Sequence, residues 1–541
     1  MKKNSFIEGT IIASIAIILT KIIGAIYVIP FYSIIGENGG VLYSYAYNIY
    51  NLFLNISTAG IPIAISMIIS EYSALKMEEA KERAYKISRK TIVIFSIITF
   101  LILFTGAEYI GLYYLNGIKG GNNIQDVALV IRTISFCLLI IPYLSVLRGY
   151  LQGNKYIAPS SLSQVIEQLV RIIIILAGSY ISIKLLNTSI PVGVSVALLG
   201  AFFGGVIAYL YLRIKISNEK KLFQKIEKKD EITNKELYKK IINYSIPVII
   251  TSIIANLYDF IDLKLIIKGL YMIEYTAKDS ELISSIICTW GPKICMIIIA
   301  ISMGLSTSLI PHMISSFTKK DYKKVNSTFN QAISMILIIT IPMGIGIALL
   351  SEPIYYLFYG TSQYGPLILK YLAILNVFAA ILSVINTTLQ GVKKFKIIYI
   401  NSLAGLTINA MLDIPLVLLF NKIGIYPFYG TITATIIGMC ISYLIVFMYL
   451  KKTLSFNYKE IKNTILKMTI PTLTMIITIL ILNIIIPIKA TSYSYSIFIT
   501  IFYGAIGAGI YFLLTYKNKL LQTTFGEEYI NKILKKFHLQ K

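Results

Sequence analysis

Apolar residues run along this chain in blocks of about twenty, the length at which an α-helix crosses a hydrocarbon layer ~30 Å thick. Fourteen blocks are present, at 10–35, 42–70, 90–116, 126–150, 160–183, 191–213, 242–268, 284–312, 328–350, 367–391, 398–420, 427–450, 464–487 and 494–516. The pattern predicts an all-α polytopic membrane protein with fourteen transmembrane helices. The first block is too long for a signal-peptide core and flows straight into the second, so it reads as a retained first helix.

Composition agrees. Hydrophobic residues make up 56% of the 541 and charged residues 14%, with a mean hydropathy of +0.74. A soluble domain carries about 25% charged residues, so a soluble enzyme, a disordered chain and a disulfide scaffold are excluded. Cys137, Cys288, Cys295 and Cys440 lie inside apolar blocks without paired spacing and read as core residues. With His312 and His538 as the only histidines, a histidine metal centre is not expected. No phosphate-binding G-x-x-x-x-G-K-[ST] loop is present, so no ATP hydrolysis is expected.

A net charge of +25 first suggests nucleic acid, but its placement points elsewhere. The connections on the side of the N-terminus carry 37 Lys and Arg, and those on the opposite side carry five: Lys119, Lys184, Lys278, Lys422 and Lys489. The positive-inside rule then puts both termini in the cytoplasm of a bacterial cell, with the chain threading its plasma membrane. The basic charge is topological, and no nucleic-acid partner is expected.

The chain also repeats. LQGNKYIAPSSLSQ starts at Leu151, after the fourth block, and LQGVKKFKIIYINS starts at Leu389, after the tenth. ISTAGIPIAIS in the second block has a weaker echo, LSTSLIPHMIS, in the eighth. The expected organisation is an N-lobe of six helices (1–213), a charged linker (214–240), a six-helix C-lobe (241–452), two added helices (453–516) and a basic tail (517–541). Duplicated halves mark alternating-access transporters, with a site between them near the midplane.

Eight basic residues remain within the apolar blocks: Lys21, Arg132, Arg148, Arg171, Lys264, Lys268, Lys293 and Lys370. A charge at bilayer depth costs at least ~2.5–3.5 kcal/mol, so each needs a partner, water or a function. Arg148, Lys268 and Lys370 lie near block ends and are expected to snorkel to the interface. Lys21, in mid-block without an acid three or four residues away, reads as a ligand-binding cation in a wet cavity or as half of an interhelical ion pair. Lys293 follows Gly291-Pro292, whose backbone opening lets the amine reach a cavity. Glu167 and Arg171 share a helix face and read first as a structural pair, second as a site. In the seventh block, Asp259 and Asp262 share a face roughly opposite Lys264 and Lys268. The two aspartates are candidate cation-coupling groups. Asp413 is either such a group or the partner of a buried lysine.

Residues 20–66 (TKIIGAIYVIPFYSIIGENGGVLYSYAYNIYNLFLNISTAGIPIAIS) and 147–172 (LRGYLQGNKYIAPSSLSQVIEQLVRI) resemble the multidrug/oligosaccharidyl-lipid/polysaccharide (MOP) exporter superfamily. Within it they are most similar to the branch of MurJ-type lipid II flippases and stage V sporulation protein B. The resemblance implies a MATE-like fold of two six-helix lobes around a cationic cavity, with the two added helices forming a groove for a polyprenyl tail. It implies movement of lipid-linked cell-wall precursor between leaflets, and it matches a family cation to Lys21 and, in a looser register, to Lys293. It departs at Val28 and Asn55, where relatives carry basic residues, so the family's full arginine set does not carry over.

The substrate-binding cations expected are Lys21, Lys293, Arg171 and Lys264, and the ion-coupling or charge-partner acids are Asp259, Asp262, Glu167 and Asp413. The partners expected are a polyprenyl-diphosphate-linked glycan, membrane lipids and other cell-wall synthesis proteins. No cofactor is expected, because outward movement of an anion gains ~2.3 kcal/mol per charge per 100 mV of membrane potential; an ion gradient is the alternative drive. Another polyprenyl-linked polysaccharide unit is the second substrate reading. A cation-coupled multidrug antiporter conflicts with the deep lysines, and a membrane enzyme conflicts with the short outer connections.

Overall fold

The computed structural model describes residues 19–20, 23–24, 26–58, 60–75, 77–115, 122–217, 232–318, 320–392 and 394–527. Among the described residues there are helices and turns and no strand. The chain forms two compact units, Met1–Thr289 and Trp290–Lys541.

The first unit opens with α1 (Val28–Thr58), which reverses at Gly36. The φ of 65° there is a left-handed conformation that glycine adopts without steric cost. The ring centroids of Phe31 and Tyr43 lie 5.3 Å apart, and the hydroxyls of Tyr27 and Tyr43 3.5 Å. Twelve residues of straight helix would separate Phe31 and Tyr43 by about 18 Å. The break therefore falls between the first two apolar blocks, as expected.

Next come α2 (Gly60–Ala74), α3 (Glu78–Thr105), α4 (Ala107–Leu115), α5 (Ile124–Ser135), α6 (Cys137–Gly153), α7 (Ile157–Tyr180), α8 (Ile190–Ser217), α9 (Asn234–Tyr271) and α10 (Ala277–Ser285). Several helices start before their apolar blocks. Residues 78–90 are charged, yet they extend α3 by burying Ala80, Ala84 and Tyr85, while half-buried Arg83 pairs with Glu79 and donates to the carbonyl of Ile232 at 2.7 Å. α9 begins at Asn234 because Thr233 and Glu236 form a reciprocal capping box. Hydropathy marks the part of a helix that a bilayer needs, not where its hydrogen bonds stop.

α6 packs on α2 and α3 around Ile65, Ile69, Tyr85, Ile92, Leu147 and Tyr150. α7 packs on α8 and α9 packs on α1 and α2, so this unit extends past the expected boundary at residue 213 to include α9 and α10.

The second unit comprises α11 (Gly291–Thr318), α12 (Tyr322–Leu349), α13 (Ser351–Tyr359), α14 (Gly365–Gly391), α15 (Phe395–Lys422), α16 (Phe428–Leu454), α17 (Lys459–Ile485), α18 (Tyr493–Lys517) and α19 (Leu520–Phe525). The short α13 was not expected; the hydroxyl of its Tyr359 donates to the carbonyl of Trp290 at 2.8 Å. α17 and α18 pair with each other, and α17 leans on α12, where the hydroxyls of Ser334 and Thr464 meet at 2.9 Å.

Among the described residues eleven helices are long and apolar enough to cross a bilayer, matching the expected third to sixth and eighth to fourteenth blocks. The protein is a multi-pass membrane protein. Its Leu-Gln-Gly repeat recurs in the backbone: α6 ends at Gly153 and α14 at Gly391. At each exit the N–H five residues after the leucine, from Tyr156 or Lys394, donates to that leucine's carbonyl at 2.8 Å.

Candidate functional site

In the first unit α6 and α7 are joined by a turn of three residues, so Arg148, six residues before it, faces Ser163, seven after it, and Glu167 one turn further on. The Nη1 of Arg148 on α6 donates to Glu167 Oε2 on α7 at 2.9 Å, and its Nε donates to Ser163 Oγ at 2.8 Å. One turn beyond Glu167, Arg171 donates through Nη2 to Oε1 at 2.6 Å. The expectation that Arg148 snorkels to an interface is corrected: it is 9% exposed and locked into this triad. The expected Glu167–Arg171 pair is present, with a second guanidinium on the same carboxylate.

The place of α7 is set by α8. A Cβ on Gly204 would lie 2.6 Å from the carbonyl oxygen of Glu167, and one on Gly200 would lie 2.7 Å from that of Arg171. Two glycines four residues apart thus let the backbones touch where the triad is carried. Two guanidiniums against one carboxylate leave an excess of one positive charge. Desolvation of a buried ion costs several kcal/mol unless opposite charge and hydrogen bonds offset it.

The other expected site residues fall in separate places. Lys21 lies outside the described residues. On α9, Asp262 is 6% exposed whereas Asp259 is exposed, so the two acids do not share one environment. Lys264 sits with its Nζ 3.4 Å above the ring of Tyr113, which stacks on Phe260 at 5.5 Å. The aromatic face holds this ammonium by a cation–π contact.

Lys293 and Asp413 belong to the second unit. Lys293 is 7% exposed, with its Nζ 4.3 Å from the ring centre of Trp290. Asp413 is fully buried, and its Oδ1 accepts from Thr431 Oγ1 at 2.6 Å. Its Oδ2 has no hydrogen-bond partner among the described residues. The partner seen for Asp413 is thus a hydroxyl and not a lysine.

Sequence reasoning passed over two further polar groups of the first unit. Asn48 Nδ2 donates to Thr289 Oγ1 at 2.9 Å, and Ser44 Oγ meets the same oxygen at 2.6 Å. Glu281, 2% exposed, accepts from the backbone N–H of Asn122 at 3.1 Å beside a cleft of about 140 Å³. In both cases the partners are far apart in sequence, and neither carries a local motif.

Comparison with known proteins fits this geometry. Residues 6–274 match the family described as polysaccharide biosynthesis protein, and residues 279–414 match the MatE family. Lipid II flippase MurJ of Bacillus subtilis (strain 168) is 30% identical over 477 residues, 86% of each chain. Stage V sporulation protein B of the same organism is 26% identical over 356 residues, 62% of this chain and 64% of that one. A solved structure of lipid II flippase MurJ in an inward closed conformation aligns with a TM-score of 0.66 at 18% identity, over 95% of this chain and 99% of that one. The structural likeness gives the fold, and the sequence likeness gives the lineage: the chain belongs to the MurJ family of the MOP transporter superfamily.

Proposed function

We propose that this protein flips an undecaprenyl-linked peptidoglycan precursor, lipid II, from the inner to the outer leaflet of a bacterial plasma membrane. Membership of the MurJ family supports the reaction class. The observation that carries the reading is the excess positive charge buried among membrane helices at Arg148, Glu167 and Arg171. Lipid II carries a diphosphate between sugar and prenyl chain, and moving that anion through a low-dielectric interior requires cations along the way. A cation-exporting antiporter would find the same charge repulsive.

In this reading Arg171, Lys21, Lys293 and Lys264 serve the substrate, and the added helices α17 and α18 receive the prenyl tail. Both termini face the cytoplasm, where Lys and Arg concentrate. Membrane potential suffices as the drive, and no bond is made or broken. Asp413, with one carboxylate oxygen unused by hydrogen bonds among the described residues, is the group best placed to add a coupling cation. The match to stage V sporulation protein B keeps a second substrate reading open, another polyprenyl-linked polysaccharide unit.

Complementation tests the proposal. The chain is expressed in a bacterium depleted of its own lipid II flippase, and surface lipid II is read with an externally added lipid II-cleaving toxin. Rescue by the wild type, lost in a stably inserted Lys21→Ala variant, is the expected result. Failure of the inserted wild type to rescue would refute lipid II as substrate and favour another lipid-linked glycan.

A further inference from the structure

Three donors around Glu167 have no acceptor among the described residues. Arg148 Nη2 and Arg171 Nε are buried without a hydrogen-bond partner among the described residues, and so is the hydroxyl of Tyr50. Tyr50 is 3% exposed and lies on α1, which packs against both α6 and α7, the helices that carry Arg148 and Glu167. Glu167 does not serve these donors: its Oε1 accepts from Arg171 Nη2 and its Oε2 from Arg148 Nη1, and neither oxygen is in hydrogen-bonding geometry with Arg148 Nη2, Arg171 Nε or the Tyr50 hydroxyl. Nor can Ser163, whose Oγ accepts from Arg148 Nε and donates to the carbonyl of Ser160.

A buried donor left without an acceptor is costly, and most costly when charged. Here that deficit coincides with an uncompensated positive charge, and one kind of ligand meets both. A phosphoryl group offers several acceptor oxygens with negative charge, and guanidinium forks match its geometry. The Arg148 fork is already oriented for this task. Ser163 and Glu167 fix two of its nitrogens and leave Nη2 available.

We propose that Arg148, Arg171 and Tyr50, held by Glu167, form a phosphoryl-oxyanion subsite within the first unit, occupied during transport by the diphosphate of the lipid-linked substrate. The identity of the ligand rests on the flippase reading, whereas the oxyanion chemistry rests on the orphaned donors alone. Glu167 is a positioning residue: it keeps the two guanidiniums together and cuts their net charge to one, so that the anion is held and then released.

The test uses full-length protein in detergent, with three probes: undecaprenyl diphosphate, inorganic pyrophosphate, and phosphatidylglycerol in mixed micelles. Arg171→Gln is expected to weaken undecaprenyl diphosphate binding about tenfold, and Tyr50→Phe about threefold, in variants that remain folded. Glu167→Gln, which strips the compensating charge from a similar shape, is expected to tighten binding and steepen its salt dependence; a carboxylate with a merely structural role would do neither. Competition by inorganic pyrophosphate that is lost in Arg171→Gln supports the phosphoryl assignment. Competition by phosphatidylglycerol alone, with no effect of undecaprenyl diphosphate, would overturn the assignment in favour of a membrane-lipid headgroup. If Arg171→Gln does not fold, Arg171→Lys keeps the charge and removes the fork, and Tyr50→Phe carries the test. Wild-type affinity in folded Arg171→Lys and Tyr50→Phe overturns the subsite even where the wild type rescues flippase-depleted cells. Conversely, a wild type that fails to rescue but binds pyrophosphate through Arg171 refutes the flippase reading and keeps the subsite.

Discussion

Replacing Gly204 with alanine tests whether the α7–α8 contact sets the triad. The added Cβ would stand 2.6 Å from the carbonyl oxygen of Glu167, 3.3 Å from the amide nitrogen of Arg171 and 3.4 Å from the Arg171 Cβ. The nearest of these atoms is backbone and cannot rotate away. Ordinary contact begins at about 3.4 Å, so the helices must part by close to 0.8 Å. A gap of 0.5–1 Å forfeits about a quarter to a half of the dispersion energy along the seam. Alanine returns about 1 kcal/mol of helix propensity, so the net loss is about 1–3 kcal/mol, as for other overpacked cores. Gly346 in α12 is the control, because nothing lies within 4 Å of its Cβ position and alanine there is neutral or stabilising. The assay is the unfolding midpoint of each purified variant in the same detergent, alongside transport. Gly204→Ala should lower both the midpoint and transport, although it touches no substrate, because Glu167 and Arg171 move with α7. If Gly204→Ala were as stable as Gly346→Ala, the backbones would not touch as described, and the account of how the triad is placed would fail.

The remaining predictions concern charge. Glu167→Leu should cost about 3–5 kcal/mol, because it strands two buried guanidiniums, and Arg148→Met should cost less, because Glu167 keeps Arg171; the reverse order of melting points would contradict the shared-carboxylate geometry. Asp413→Asn preserves the oxygen that accepts from Thr431, so the fold should persist. Any dependence of transport on an ion gradient should vanish in liposomes while dependence on membrane potential stays, and unchanged gradient dependence would remove Asp413 from coupling. At the basic end of α9, Lys240 donates to Glu71 at 2.6 Å over the ring of Tyr72. Partial burial pulls its pKa down, but the hydrogen bond to Glu71 and the neighbouring Tyr72 outweigh this and raise it above the usual 10.5. A raised folded pKa means a stabilisation complete below pH 10.5 and lost as pH rises through the folded value. For so exposed a pair it amounts to about 0–1 kcal/mol. Lys240→Ala should lower stability by that amount at neutral pH and abolish this alkaline component in a pH series; a wild-type alkaline profile in the variant would refute the pairing.

The helices were legible because the bilayer imposes a length: blocks of about twenty apolar residues stand out whatever their partners. The break at Gly36 was legible too, since apolar residues pause there and glycine supplies the reversal. Contacts were harder to read. In a chain so rich in isoleucine almost every helix face is apolar, and the one-sided stripe that normally orients a helix is missing. Arg148 shows the consequence. Counted from the end of its block it looked like an interfacial residue, and only its partners correct that. Yet a signal was present, because it lies seven residues before Lys155 and Ser163 lies eight after, on either side of a short turn between antiparallel helices. Asn401, Asn409 and Asp413, spaced by eight and four, likewise mark one buried face of α15. Lys264 over Tyr113 carries no such signal, being 151 positions away on another helix.

Gly200 and Gly204 fall between these cases. Their spacing announces a close helix approach but names no partner. The structure supplies α7 as that partner, and supplies it at the turn bearing Glu167 and Arg171. Small residues on one helix thereby fix charges on the next, and what spacing alone presents as a self-neutralising structural pair becomes, with Arg148, a buried excess of positive charge. The membrane makes that excess meaningful, because in water it would be screened and in a core it would be eliminated. Its persistence among membrane helices is the physical reason to look for an anion there.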